Sequence, residues 1–81
     1  MYYLFSFKTR FETMKFYSLA RNKNVSCAVV STPTSIFSGC SLSVRCEESD
    51  FMSLLNLYCN YSFSTFTGAY KIEGQNAIKV Y

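Results

Sequence analysis

Two halves of this chain meet at the stretch Pro33-Thr-Ser-Ile-Phe-Ser-Gly-Cys-Ser-Leu-Ser-Val-Arg-Cys46. Proline cannot donate to a strand ladder, so Pro33 ends the strand before it and opens a loop. From Cys40 to Cys46, apolar and polar residues alternate, which predicts a strand with one buried and one polar face. Cys40 therefore lies where the loop becomes a strand, a position that both solvent and a partner can reach.

The sequence before this stretch predicts a strand, a helix and a second strand. Tyr2–Phe7 is aromatic and apolar, which is typical of a central strand. The pattern Thr9-x-x-Glu12 is a capping box, and it starts a helix that should run to about Arg21. Residues 25–30 are mostly apolar and predict the second strand.

The sequence after this stretch predicts a second helix and a fourth strand. Acidic residues at 47–50 suit the positive end of a helix dipole. The expected apolar stripe of that helix contains Phe51, Met52, Leu55, Tyr58 and Cys59. Residues 61–65 are predicted to be a polar connector, and residues 66–73 a strand. Residues 74–81 predict either a loose tail or a short extra strand.

The resulting order is strand, helix, strand, strand, helix, strand. This order predicts an α+β protein of the ferredoxin-like βαββαβ class, with a four-stranded antiparallel sheet and two helices on one face. A chain of 81 residues is long enough for one small domain. We therefore expect a single domain over residues 1–81, with its core in residues 2–73.

Composition excludes several classes of protein. The chain is 49% hydrophobic and 16% charged, which is typical of a folded protein rather than a disordered one. The net charge is +3 and the basic residues are scattered, so no nucleic-acid footprint is expected. There is no run of about 18 apolar residues, so no membrane span is expected. We predict a cytoplasmic protein with reduced cysteines.

Four cysteines are the main candidates for chemistry. They have no C-x-x-C spacing and the chain contains no histidine, so neither a metal site nor a cofactor is expected. There is also no acid–base constellation, so we do not expect an enzyme. Cys27, Cys46 and Cys59 are predicted to be small core residues. From the residues alone, Cys40 can be either a reactive thiol or a partly buried one.

The chain resembles the family of small selenium/sulfur carrier protein-like domains. The shared features are the aromatic opening Tyr2–Phe7, a Thr-Pro loop with a cysteine seven residues after Pro33, and an alternating strand that ends in Arg45. The resemblance implies that the thiol of Cys40 carries sulfur or selenium, which it receives from a donor protein and passes to an acceptor protein. The expected loop support comes from Pro33, Ser38, Gly39 and Ser41.

Three positions depart from the pattern of that family. The family usually has an arginine after the loop proline, where this chain has Thr34, and a glycine after the cysteine, where it has Ser41. It often has a serine where this chain has Phe37. Loss of the arginine removes a positive charge that would favour a thiolate.

The alternative function is a non-catalytic interaction or regulatory module, in which Cys40 is structural and a homodimer forms. Aromatic residues make up 19% of this small chain, and a domain of this size cannot bury all of them. In the first helix, Phe11 and Met14 are expected to lie on the exposed face as an apolar pair.

Overall fold

The computed structural model describes residues 1–36 and 41–81, which form two helices and a five-stranded antiparallel sheet. The elements are β1 (Tyr2–Phe7), α1 (Arg10–Asn22), β2 (Ala28–Ser31), β3 (Leu42–Cys46), α2 (Glu48–Asn60), β4 (Phe66–Glu73) and β5 (Asn76–Lys79). The strand order is β2-β3-β1-β4-β5. The predicted α+β class with two helices is confirmed, and the arrangement is consistent with the ferredoxin-like class.

The predicted number of four strands is wrong, because residues 76–79 add a fifth strand to the edge of the sheet. A two-residue turn at Gly74 and Gln75 reverses the chain, and Glu73 pairs with Asn76 across it. Gly74 adopts a φ of 60°, a left-handed conformation that glycine tolerates best and that tight hairpin turns require. Of the two alternatives for the end of the chain, the structure has the short extra strand.

The core is a cluster of aromatic rings between the sheet and both helices. Phe5 of β1 is fully buried. Its ring centroid lies 5.2 Å from that of Phe16 in α1 and 5.6 Å from that of Phe51 in α2. Because one side chain contacts both helices, the helices cover the same face of the sheet. The opposite face, which carries the even-numbered residues of β1, is called the helix-free face below, although Leu4 and Ser6 on it are buried.

The first helix largely follows its prediction. Thr9 is its N-cap, and the Thr9 hydroxyl accepts a hydrogen bond from the backbone N–H of Glu12 at 3.3 Å. The buried side chains are Thr13, Phe16 and Ala20. The carboxylate of Glu12, however, accepts hydrogen bonds from residues of the distant 61–65 connector instead of closing the capping box.

The buried face of α2 differs from the predicted stripe. Leu54 and Leu57 are buried, whereas Met52 is 68% exposed and Cys59 is also exposed. A helix turns 100° per residue, so residues 54 and 57 lie on one side of the stripe centre and residues 52 and 59 on the other. The buried face of α2 is therefore rotated about the helix axis relative to the predicted stripe. The prediction that Cys59 is a core residue is wrong.

Two strand boundaries and the nature of one connector also differ from the prediction. The second strand begins at Ala28 rather than at residue 25, because the backbone N–H of Val25 donates to the carbonyl of Ala20 and so ends α1. The alternating strand begins at Leu42 among the described residues. The 61–65 connector is not simply polar, because Phe63 packs against Phe7.

Within the described residues, neither helix is long and apolar enough to cross a membrane.

Candidate functional site

The loop between β2 and β3 is the segment that the sequence selects as the candidate site. These strands form an antiparallel hairpin, and Ser31 lies opposite Leu42 at its end. Two of the predicted site residues, Pro33 and Ser41, are described. The roles of the other three stay predictions, because these residues lie outside the described part of the chain: Ser38, Gly39 and Cys40.

Two hydrogen bonds join the ends of this loop. The backbone N–H of Thr32 donates to the carbonyl oxygen of Ser41 at 3.0 Å. The hydroxyl oxygens of Thr32 and Ser43 are 2.6 Å apart, and both residues are buried. The sequence placed Ser43 on a polar strand face, which predicted exposure. It is buried because Thr32 covers it and satisfies its hydroxyl.

A further hydrogen bond fixes the start of β3 to the first helix. The hydroxyl of Thr13 lies 3.1 Å from the carbonyl oxygen of Leu42 and 3.1 Å from that of Thr9. Thr13 is fully buried, so this polar contact is shielded from water. Ser41, which precedes Leu42, is therefore held in a defined position relative to both the helix and the sheet.

Pro33 begins a turn at the other end of the loop. The backbone N–H of Ile36 donates to the carbonyl oxygen of Pro33 at 3.0 Å. Both Pro33 and Ile36 are half-buried. The turn brings the side chain of Ile36 against the wall of a cavity that Ser41 also lines.

This cavity lies beside the end of β1 and has a volume of about 90 Å³. Its polar groups come from three parts of the chain: Ser6 and Lys8 at the end of β1, Ser41 before β3, and Thr67 and Tyr70 in β4. The remaining lining is apolar and comes from Phe7 and Ile36. The hydroxyl of Ser41 is buried and has no hydrogen-bond partner among the described residues.

The backbone of β4 helps to shape this region. Gly68 lies opposite Ser6, at a point where the register between β1 and β4 shifts. A Cβ atom at Gly68 would lie 3.2 Å from the Tyr70 ring and 2.9 Å from the Lys79 side chain, and φ there is +151°. A larger residue would therefore displace Tyr70, which lines the cavity.

Lys8, Thr67 and Tyr70 were not predicted as site residues. The pairing of β1 with β3 is the one observation from which the position of Lys8 near Ser41 can be predicted. β1 pairs with β3 in antiparallel register, with Phe5 opposite Val44 and Ser6 opposite Ser43. Continuing this register by two residues places Lys8 opposite Ser41.

The three described cysteines differ in their burial. Burial, with a smaller contribution from the nearby carboxylate of Asp50, raises the pKa of the Cys46 thiol to about 12. Burial also raises the pKa of Cys27, although Arg21 partly offsets this effect. Cys59 is exposed, and its sulfur lies 3.8 Å from the hydroxyl of Tyr81. A thiolate is the nucleophilic form, so Cys27 and Cys46 are poorly suited to carry cargo.

No group of three His, Cys, Asp or Glu residues in the described part of the chain is arranged to hold a metal ion. The guanidinium of Arg45 lies 3.9 Å from the ring centroid of Tyr2, where it makes a cation–π contact.

Comparison with known proteins places the chain in a family. Residues 2–65 match the family model described as "Putative Se/S carrier protein-like". The match covers more than half of the chain, so this protein belongs to that family. No significant match was found among curated proteins or among solved structures.

Proposed function

We propose that this member of the Se/S carrier protein-like family holds a sulfur or selenium atom on the thiol of Cys40, as a persulfide or selenopersulfide. The observation that carries the proposal is the family match over residues 2–65, a range that contains Cys40. The raised pKa values of Cys27 and Cys46 support the choice, because they leave fewer thiols able to act as nucleophiles.

The transfer itself needs no oxidant. The Cys40 thiolate attacks the outer sulfur of a persulfide on the donor protein, and a new S–S bond forms while the donor S–S bond breaks. The donor cysteine leaves as a thiolate and takes up a proton from water. A thiolate on the acceptor protein later removes the outer sulfur from Cys40 by the same reaction. The protein therefore has a carrier role without turnover of its own.

The loop supports this role by holding both of its ends in place. The hydrogen bonds that Thr32 makes with Ser41 and Ser43 join the strands on either side of the Cys40 segment. Pro33 starts the turn on one side, and Ser41 follows the cysteine on the other. We assign Ser38 and Gly39 to the same supporting role from their places in the sequence.

A small-molecule persulfide donor tests the assignment directly. The reduced protein is treated with glutathione persulfide, and intact-mass measurement and peptide mapping locate the added sulfur. We expect a single adduct that is lost in Cys40→Ser and retained in Cys59→Ser, the matched control at an exposed cysteine. An adduct that persists unchanged in Cys40→Ser, or that maps to Cys59, contradicts the proposal.

A second candidate function is an interaction or regulatory module, with Cys40 in a structural role. It is favoured by the exposure of two apolar side chains on α1, where Phe11 is 76% exposed and Met14 40% exposed. Light scattering tests for a homodimer that this pair would stabilise. We then expect dimers in the wild type and monomers in Phe11→Ser. A wild-type monomer that binds no apolar dye argues against this function.

A further inference from the structure

The cavity beside Ser41 has the position and the lining of a small binding site. It lies where the end of β1, the start of β4 and both described sides of the β2–β3 loop meet. A volume of about 90 Å³ has room for one small anion with roughly one or two waters. It is too small for a nucleotide or for a peptide side chain with its backbone.

The only charged residue in the described lining of this cavity is basic. Lys8 lines it, and lysine carries a compact ammonium charge with three hydrogen-bond donors. Among the described residues, the only ion pair joins Lys71 to Glu73, so no carboxylate there neutralises Lys8. The described lining therefore offers an anion one cationic side chain and no carboxylate.

Some hydrogen-bonding groups that line the cavity have a partner within the described structure, and one has none. The hydroxyl of Thr67 donates to the carbonyl oxygen of Ser6 at 3.1 Å and is thus already used. The buried hydroxyl of Ser41 has no partner in the described part of the chain. Buried polar groups in proteins nearly always have a partner, so an unpaired hydroxyl at a cavity wall points to a ligand or a water that accepts from it.

The remaining lining decides which anions fit. Phe7 and Ile36 are apolar, so the described lining offers few free donors, and these come from Ser6, Lys8, Ser41 and Tyr70. Sulfate and phosphate would lose more hydration than these groups can replace, because a buried charge needs many hydrogen bonds. A soft monoanion with one heavy atom is small, weakly hydrated and polarisable, and it suits apolar walls beside one cation.

We infer that this cavity binds a small chalcogenide anion, either hydrosulfide or hydroselenide, through Lys8 and Ser41. The choice of chalcogenide over other soft monoanions rests on the proposed carrier function, because a thiolate that attacks the inner sulfur of the Cys40 persulfide forms a disulfide and releases the outer sulfur as hydrosulfide. The size and charge of the ligand rest on the cavity alone, and its binding there involves no covalent step.

The experiment measures binding without the carrier thiol. Uniformly ¹⁵N-labelled Cys40→Ser protein is titrated anaerobically with sodium hydrosulfide, and in parallel with sodium iodide and sodium sulfate, while backbone amide shifts are recorded. We expect saturable shifts with hydrosulfide and iodide at Lys8, Ser41 and Thr67, and none with sulfate. Lys8→Met should weaken hydrosulfide binding about tenfold or more, because a charge-assisted contact is lost.

Lys23→Met is the matched control, because it removes one positive charge from an exposed position at the end of α1. It should leave the affinity within about twofold. Equal binding by Lys8→Met and the parent, or the absence of any saturable shift, overturns the inference. Hydrosulfide binding without a persulfide adduct in the wild type supports the cavity and contradicts the carrier proposal. A Cys40 adduct without hydrosulfide binding supports the carrier proposal and overturns the anion site.

Discussion

The carboxylate of Glu12 makes the most concentrated set of polar contacts in the described structure. One oxygen accepts from the backbone N–H and the hydroxyl of Thr65, at 2.7 and 2.6 Å. The other accepts from the backbone N–H and the hydroxyl of Ser64, at 2.9 and 3.3 Å. These bonds join α1 to the connector before β4. We predict that Glu12→Gln destabilises the protein, because an amide can accept at only one end and turns an N–H group towards the donors at the other.

The magnitude follows from the pKa of Glu12. Partial burial would raise it, but the hydrogen bonds from Thr65 and Ser64 outweigh burial and lower it from 4.5 to about 2. A lowering of the pKa by this amount between the unfolded and the folded state corresponds to about 3 kcal/mol of stability before solvent screening is considered. Because the side chain is in partial contact with solvent, screening reduces the expected cost of Glu12→Gln to about 1–2 kcal/mol. In a domain of this size, that lowers Tm by roughly 4–15 °C.

The sign of the pH dependence gives a sharper test. The folded-state pKa of Glu12 lies below the unfolded value, so its contribution is fully present above pH 4.5 and disappears as the pH falls to about 2. Urea unfolding of the wild type and Glu12→Gln should therefore give a difference that is largest near neutral pH and shrinks through this interval. Glu73→Gln, which removes an exposed carboxylate paired with Lys71, is the control and should change stability little. A Glu12→Gln difference that stays constant with pH refutes the reasoning.

The remaining stability predictions concern the core and the base of the loop. Phe5→Ala should cost about 3–5 kcal/mol in urea unfolding, because it empties a fully buried site between both helices, and Phe5→Leu should cost clearly less. Thr32→Val should cost about 1–3 kcal/mol, because it leaves the buried hydroxyl of Ser43 unpaired. The double variant Thr32→Val/Ser43→Ala should recover most of that loss, and no recovery would show that the bond contributes little. Ser41→Ala should not destabilise the anion-free protein, and a large loss of Tm would show that its hydroxyl has a partner.

The parts of the fold that could be predicted are those in which the local pattern agrees with the tertiary environment. The aromatic run in β1 and the capped start of α1 carry signals within one element, and both elements form where those signals lie. The register of the α2 face is a different problem, because apolar residues occupy more than one side of that helix. Its position is decided by the rings that it meets, such as Tyr3, which stacks on Phe51 at 4.3 Å.

The errors at the candidate site have a related cause. Ser43 lies on the helix-free face, and an alternating pattern cannot show that Thr32, from the other end of the loop, will cover it. The polar neighbours of Phe63 predict a polar connector, whereas in the structure Phe63 packs against the core. Lys8 reaches the cavity through the pairing of β1 with β3, which connects residues far apart in the chain. Patterns within one segment do not contain this information.

A carrier must also hold its cargo on one thiol in preference to the others, and burial alone does not achieve this here. Cys27 and Cys46 are protected by burial, but Cys59 is exposed near the end of α2. A neutral alkylating reagent should therefore label Cys59 rapidly in the folded protein and should reach Cys46 only after unfolding, as peptide mapping would show. The last turn of α2 contains no basic residue, whereas Lys8 lies beside the residue that follows Cys40. Under the proposed function, an anionic persulfide should consequently persist on Cys40 and not on Cys59, even though Cys59 is alkylated. Equal retention of the persulfide at the two positions would show that local charge does not select the carrier thiol.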